Sequence, residues 1–106
     1  MNLVNPDLKF IKYRRKKIKI TYKNLDDCYG LYDPNKQMLY FDQNMKHERL
    51  FNTILHELFH VICYNENIDV NQRGEEPIAK SVGDGYTRIF KQNPNLWDIL
   101  NDLLFR

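Results

Sequence analysis

The pentapeptide His56-Glu57-Leu58-Phe59-His60 constrains this chain more than any other stretch. It lies inside an apolar run from Leu50 to Tyr64. On a helix, residues four apart stand one above the other on a single face. Two imidazoles so placed can reach one metal ion. The glutamate after the first histidine then leans over the open side of that ion, where it can take a proton from water. The plainer explanation is a pair of histidines on a buried helix. A bare imidazole in an apolar interior lacks hydrogen-bond partners, and a metal or a polar cleft removes that cost. The pattern therefore reads as chemistry.

The elements around it follow from periodicity. Lys17 to Tyr22 alternates lysine or threonine with isoleucine or tyrosine, the period of a strand with one wet face. Phe10–Tyr13 is a short candidate strand before it. Cys28–Tyr32 and Gln37–Asp42 are two more strands, joined as a hairpin by the turn Asp33-Pro34-Asn35-Lys36. Asp42-Gln43-Asn44 offers a cap for a helix from about Met45 to Tyr64. Its apolar residues cover most of its circumference, which predicts a buried helix. Ile78, Val82, Tyr86 and Ile89 predict a second helix from Pro77 to Lys91, in which Gly83 and Gly85 permit close packing. Leu96 to Phe105 predicts a third. The expected architecture is α+β, a three-stranded and mostly antiparallel sheet followed by three helices.

A chain of 106 residues fits one domain, 1–106, with residues 1–8 as a loose arm. Such a domain holds a core without disulfides. Cys28 and Cys63 are spaced for neither a disulfide framework nor a zinc clamp, and their apolar neighbours suggest reduced core thiols. No signal-peptide pattern and no membrane-length apolar run are present, so a cytoplasmic protein is expected. The net charge of +2 implies no partner by itself, but Lys9, Lys12, Arg14, Arg15, Lys16, Lys17, Lys19 and Lys23 crowd the first quarter. Such a run can contact nucleic acid. The plainer explanation is an edge strand whose lysines block edge-to-edge pairing.

Two histidines leave a tetrahedral zinc one protein ligand short. His47 lies nine positions before His56, roughly 13 Å away on the same helix, so it cannot share the ion. The acidic pair Glu75-Glu76 opens the next helix and can supply the third ligand. Glu76 is favoured because Ala79, Lys80 and Gly83 share its face, and small residues there would allow close approach. A helix N-terminus also attracts acidic residues for its dipole alone.

Four stretches carry a family resemblance: Asp27–Asp33, Met38–Asp42, Asn52–His60 and Glu75–Gly83. Their order resembles short, phage- and prophage-encoded zinc metallopeptidase-like domains related to the ImmA/IrrE group of peptidases. The resemblance covers roughly residues 17–92. It implies a small zincin-like domain holding Zn2+ through His56, His60 and Glu76, with Glu57 as general base. Pro77 and Lys80 depart from the family pattern. The activity implied is zinc-dependent hydrolysis of a peptide bond in a protein or peptide substrate. Tyr64, Tyr86 and Arg88 are candidates to stabilise the developing oxyanion, and the strand ending at Asp42 is a candidate to receive the substrate by strand addition. The alternative is a non-catalytic, zinc-stabilised binding protein, nucleic-acid-associated through its basic first quarter.

Overall fold

The structure is a computed structural model and describes residues 6–69, 71 and 74–106. It is α+β. Strands β1 (Phe10–Tyr13), β2 (Lys16–Lys23), β3 (Gly30–Asp33) and β4 (Met38–Asp42) precede helices α1 (His47–Asn65), α2 (Glu75–Gln92) and α3 (Pro94–Phe105). The sheet has four strands, not three, in the order β1-β2-β4-β3. The extra strand is Phe10–Tyr13, which is too short to be decisive in sequence but pairs antiparallel with β2 along its whole length. Arg14 and Arg15 make the connection, with Arg14 at φ 54° and no glycine or asparagine to mark the turn. The expected β3–β4 hairpin forms, and the Asp33 carboxylate accepts from the Asn35 and Lys36 amides in its turn. The central pairing, β2 with β4, is parallel, so the sheet is mixed.

Strand order corrects two expectations. Met38–Asp42 is interior, paired on both sides, and cannot accept an added strand. Lys16–Lys23 is interior too, so its lysines do not protect an edge. The edges are β1 and β3, and they differ. The β1 edge is covered: the Asn93 side chain donates to Lys12 O and accepts from Lys12 N, and Gln92 does the same for Arg14. At β3, the Asp42 amide donates to Tyr29 O. Antiparallel ladders alternate, so the N–H and C=O of Gly30 and Tyr32 turn away from β4, toward the open edge.

The helices lie against one face of the sheet. Ile11, Tyr13, Ile18, Ile20, Leu39 and Phe41 point into the core and meet Leu50, Ile54, Leu58, Val61 and Ile62 of α1. Leu8 is also buried, and the Tyr22 hydroxyl donates to its carbonyl, so the expected loose arm is anchored at that end. Cys28 precedes β3 and is exposed, against the expected core thiol. Helix α1 begins after Lys46 without a side-chain cap. Asp42, expected near that cap, instead accepts from the Leu25 amide. No described helix is long and apolar enough to cross a membrane.

Helix α2 meets α1 through Ile78, Val82, Tyr86 and Gly85. A Cβ on Gly85 would stand 2.6 Å from Ile62 Cγ2, whereas one on Gly83 would meet nothing. Gly85→Ala should therefore destabilise by about 1–3 kcal/mol through overpacking. Gly83→Ala should stabilise by about 0.5–1 kcal/mol through helix propensity. Urea titration of both variants checks the opposite signs.

Glu66, after α1, gathers the far end of the fold. It accepts from the Tyr13 hydroxyl at 2.6 Å and from Arg14 at 2.8 and 2.9 Å, with Arg88 at 3.7 Å. The Arg14 guanidinium, above all, lowers the Glu66 carboxyl to about 2. A depressed carboxyl contributes stability that is complete above its unfolded value, near 4.5, and lost as pH falls toward 2. Glu66→Gln should lower the melting temperature at neutral pH, and the gap from the parent should close between pH 4.5 and pH 2 in thermal melts.

Candidate metal site

The apolar face of α1 fixes where its polar residues go. Leu50, Ile54, Leu58 and Val61 face the sheet, so His56 and His60 emerge on the far side and Glu57 falls at the seam. The histidines were expected to be buried and are not: the His56 side chain is 64 % exposed. One stripe of α1 is enough for its burial, and Phe51, Leu55 and Phe59 beside it are only half-covered.

His56 Nε2 and His60 Nε2 converge to 3.2 Å. Zinc–nitrogen bonds of about 2.0–2.1 Å at a tetrahedral angle set two nitrogens about 3.3 Å apart. The pair therefore fits one zinc. Glu57 stands beside them, its Oε2 4.0 Å from His56 Nε2 and its side chain 7 % exposed. His56, Glu57 and His60 form one group whose ligand atoms all lie within 4.8 Å of one another. Among the described residues, no side chain hydrogen-bonds the Glu57 carboxylate. Burial raises its pKa above the ordinary carboxylate value, while His60 and then His56 pull the other way.

Strand β3 makes room for this arrangement. A Cβ on Gly30 would lie 2.8 Å from Thr53 Cγ2 and 2.9 Å from Glu57 Cγ. The glycine lets the open sheet edge approach the carboxylate side chain, a role no sequence signal announced. Glu57 and His60 line an open recess of about 450 Å³ with Leu31, Tyr32, Cys63 and Tyr64. On the other side of Gly30, His56 borders a second recess with Asp26, Asp27 and Asp42.

The remaining sequence candidates divide. His47 lies beside Arg106, away from the group, as its spacing required. Tyr86 donates its hydroxyl to Leu55 O at 2.7 Å, and Arg88 sits by Glu66, so neither is turned to the site. Tyr64 shares the recess with Glu57. Glu76 lies in the first turn of α2, exposed and outside the His56–Glu57–His60 group. Ala79, Lys80 and Gly83, which share its face, are exposed as well, so that face is not the one packed on α1. The side chain of Glu75 lies outside the described residues.

Set against known proteins, the chain matches no family model, no curated protein and no solved structure.

Gly30→Ala should displace Glu57 or Thr53 and cost about 1–3 kcal/mol, read by urea unfolding. If a methyl group costs nothing there, the strand does not press on the carboxylate side chain.

Proposed function

We propose that the chain is a zinc-dependent peptidase acting on an extended segment of a protein substrate. One observation carries this reading: two convergent imidazoles stand beside a nearly buried carboxylate that no described side chain hydrogen-bonds, at an open strand edge. A structural zinc site would usually be closed by four protein ligands and would have no use for such a carboxylate. The resemblance to small phage-type metallopeptidase domains points the same way.

In this reading His56 and His60 hold the zinc, and Glu76, which lies outside their group, would supply the third protein ligand only if the first turn of α2 moved toward α1. Bound zinc supplies a Lewis acid that polarises the scissile carbonyl and brings the pKa of water to ~7. The chain's own groups do the rest. The outward N–H and C=O of Gly30 and Tyr32 pair with an extended substrate and bring its backbone past Glu57. The Glu57 carboxylate takes the proton of the attacking water and passes it to the leaving amine. Its burial raises its proton affinity, which suits a group that must both accept and return a proton. Tyr64, on the wall of the same recess, is the remaining candidate donor to the developing oxyanion.

The test begins with metal content of untagged protein, by mass spectrometry. The parent should carry about one zinc per chain, and His56→Ala and Glu76→Ala should lose it. Glu57→Gln should keep the metal but lose cleavage of a mixed peptide library by at least a hundredfold. Zinc surviving Glu76→Ala would move the third ligand elsewhere. Zinc without cleavage in the parent would favour a zinc-stabilised binding protein. A parent that takes up no zinc would end the peptidase reading.

A further inference from the structure

The sheet has a second face, which the helices do not touch. Alternation along each strand sends every other side chain to it. On β1 these are Phe10 and Lys12; on β2, Lys17, Lys19, Thr21 and Lys23; on β4, Met38, Tyr40 and Asp42. Register gathers them into one surface: Phe10 lies opposite Lys19, Lys12 opposite Lys17, and Tyr40 opposite Thr21. Edge protection does not explain Lys17, Lys19 and Lys23, because β2 is interior.

The charge is free. Arg14, Lys80, Arg88 and Arg106 are paired with carboxylates, but among the described residues Lys12, Lys17, Lys19 and Lys23 make no ion pair. The acids at the end of this face are otherwise engaged, since Asp42 and Asp33 accept from backbone amides. The cations are also interleaved with rings. Lys17 Nζ stands 4.2 Å from the Phe10 ring centre, and Lys23 Nζ stands 4.5 Å from that of Tyr40. Each pair sets a cation over a ring at one point of the surface, and a nucleotide that draws the ammonium to its phosphate would free that ring for its base.

We propose that this helix-free face binds single-stranded nucleic acid. The four strands span about 14 Å before side chains are counted, wider than the ~12 Å major groove, so the face cannot enter a duplex as a ribbon does. A flat sheet bearing aromatic rings instead suits bases that are already unstacked. An anionic membrane or an acidic protein would use the charge but would have no need of Phe10 and Tyr40 at their places among the lysines. The site faces away from His56, Glu57 and His60 and needs no metal, so its fate is independent of the peptidase reading.

The test is fluorescence anisotropy of labelled oligo(U) and oligo(dT) 12-mers with untagged, chelator-treated protein. Binding should weaken with salt, with a log–log slope of about −2 to −3 for three or four phosphate contacts. Lys17→Ala with Lys19→Ala should reduce that slope by about 1.4. Tyr40→Ala should weaken binding about tenfold with the slope unchanged. Lys80→Ala with Lys91→Ala, on α2, should change nothing. All these positions are exposed or half-exposed, and unchanged thermal melts would show that the variants fold. Four results would each overturn the proposal: no binding at ~50 mM salt, preference for duplex over single strand, binding to phosphatidylserine vesicles but not to oligonucleotide, or full affinity in Tyr40→Ala.

Discussion

The seat of α1 on the sheet is the contact on which the rest depends. A helix buries only about a third of its circumference against a sheet, and the 3.6-residue period then assigns every other position. With Leu50, Ile54, Leu58 and Val61 inward, positions 56 and 60 must emerge on the far side, and position 57 must lie between. The same seat demands Gly30, because the rim of α1 carrying Thr53 and Glu57 runs against β3. One packing decision therefore sets the spacing of the imidazoles, the burial of the carboxylate and the distance to the strand edge.

Local signals were legible where local physics decides. The hairpin of β3 and β4 follows from a proline turn with an aspartate at its start. The three helices follow from apolar spacing, and the exclusion of His47 from helical rise alone. What could not be read was non-local. Nothing near Met38 says that its strand lies between β2 and β3, and nothing near Lys17 says that β2 has a neighbour on each side. Cys28 looked like a core thiol because its neighbours are apolar, yet the strand begins two residues later. The exposure of His56 was missed for a related reason. Apolar residues nearly all round α1 suggested full burial, but Phe51, Leu55 and Phe59 are only half-covered. Proximity of Glu76 to the histidines was argued from small residues on its face, and small residues matter only where another element presses on them. That happens at Gly85 and not at Gly83.

The sheet divides its work by parity. Inward positions of β1, β2 and β4 are apolar and carry the core. Most outward positions carry lysine or an aromatic ring, with Thr21, Met38 and Asp42 among them. Lysines on an interior strand add no protection against strand addition, and like charges directly opposite, as at Lys12 and Lys17, are mildly destabilising. A face that keeps such repulsion in place spends stability on something other than folding. The outer face thus gathers lysines without ion pairs among the described residues and two rings into one surface.

The two sheet edges make the complementary case on the other side of the molecule. An exposed edge invites pairing with another chain, and folds ordinarily blunt it. β1 is blunted: the amide side chains of Asn93 and Gln92 occupy its backbone groups as a further strand would. β3 carries no such cover from the described residues. It is bordered by Tyr29 and includes Leu31, both about half exposed, and none of its four residues is a lysine or proline. The open edge is also the one that touches Glu57. If the fold merely tolerated an open edge, its place beside the Glu57 carboxylate would be a coincidence. If a substrate strand is the missing neighbour, the open backbone groups, the glycine and the carboxylate belong to one arrangement. The contrast with β1, capped by two separate amide side chains, favours the second explanation, because this chain has the means to close an edge and uses them away from the histidines.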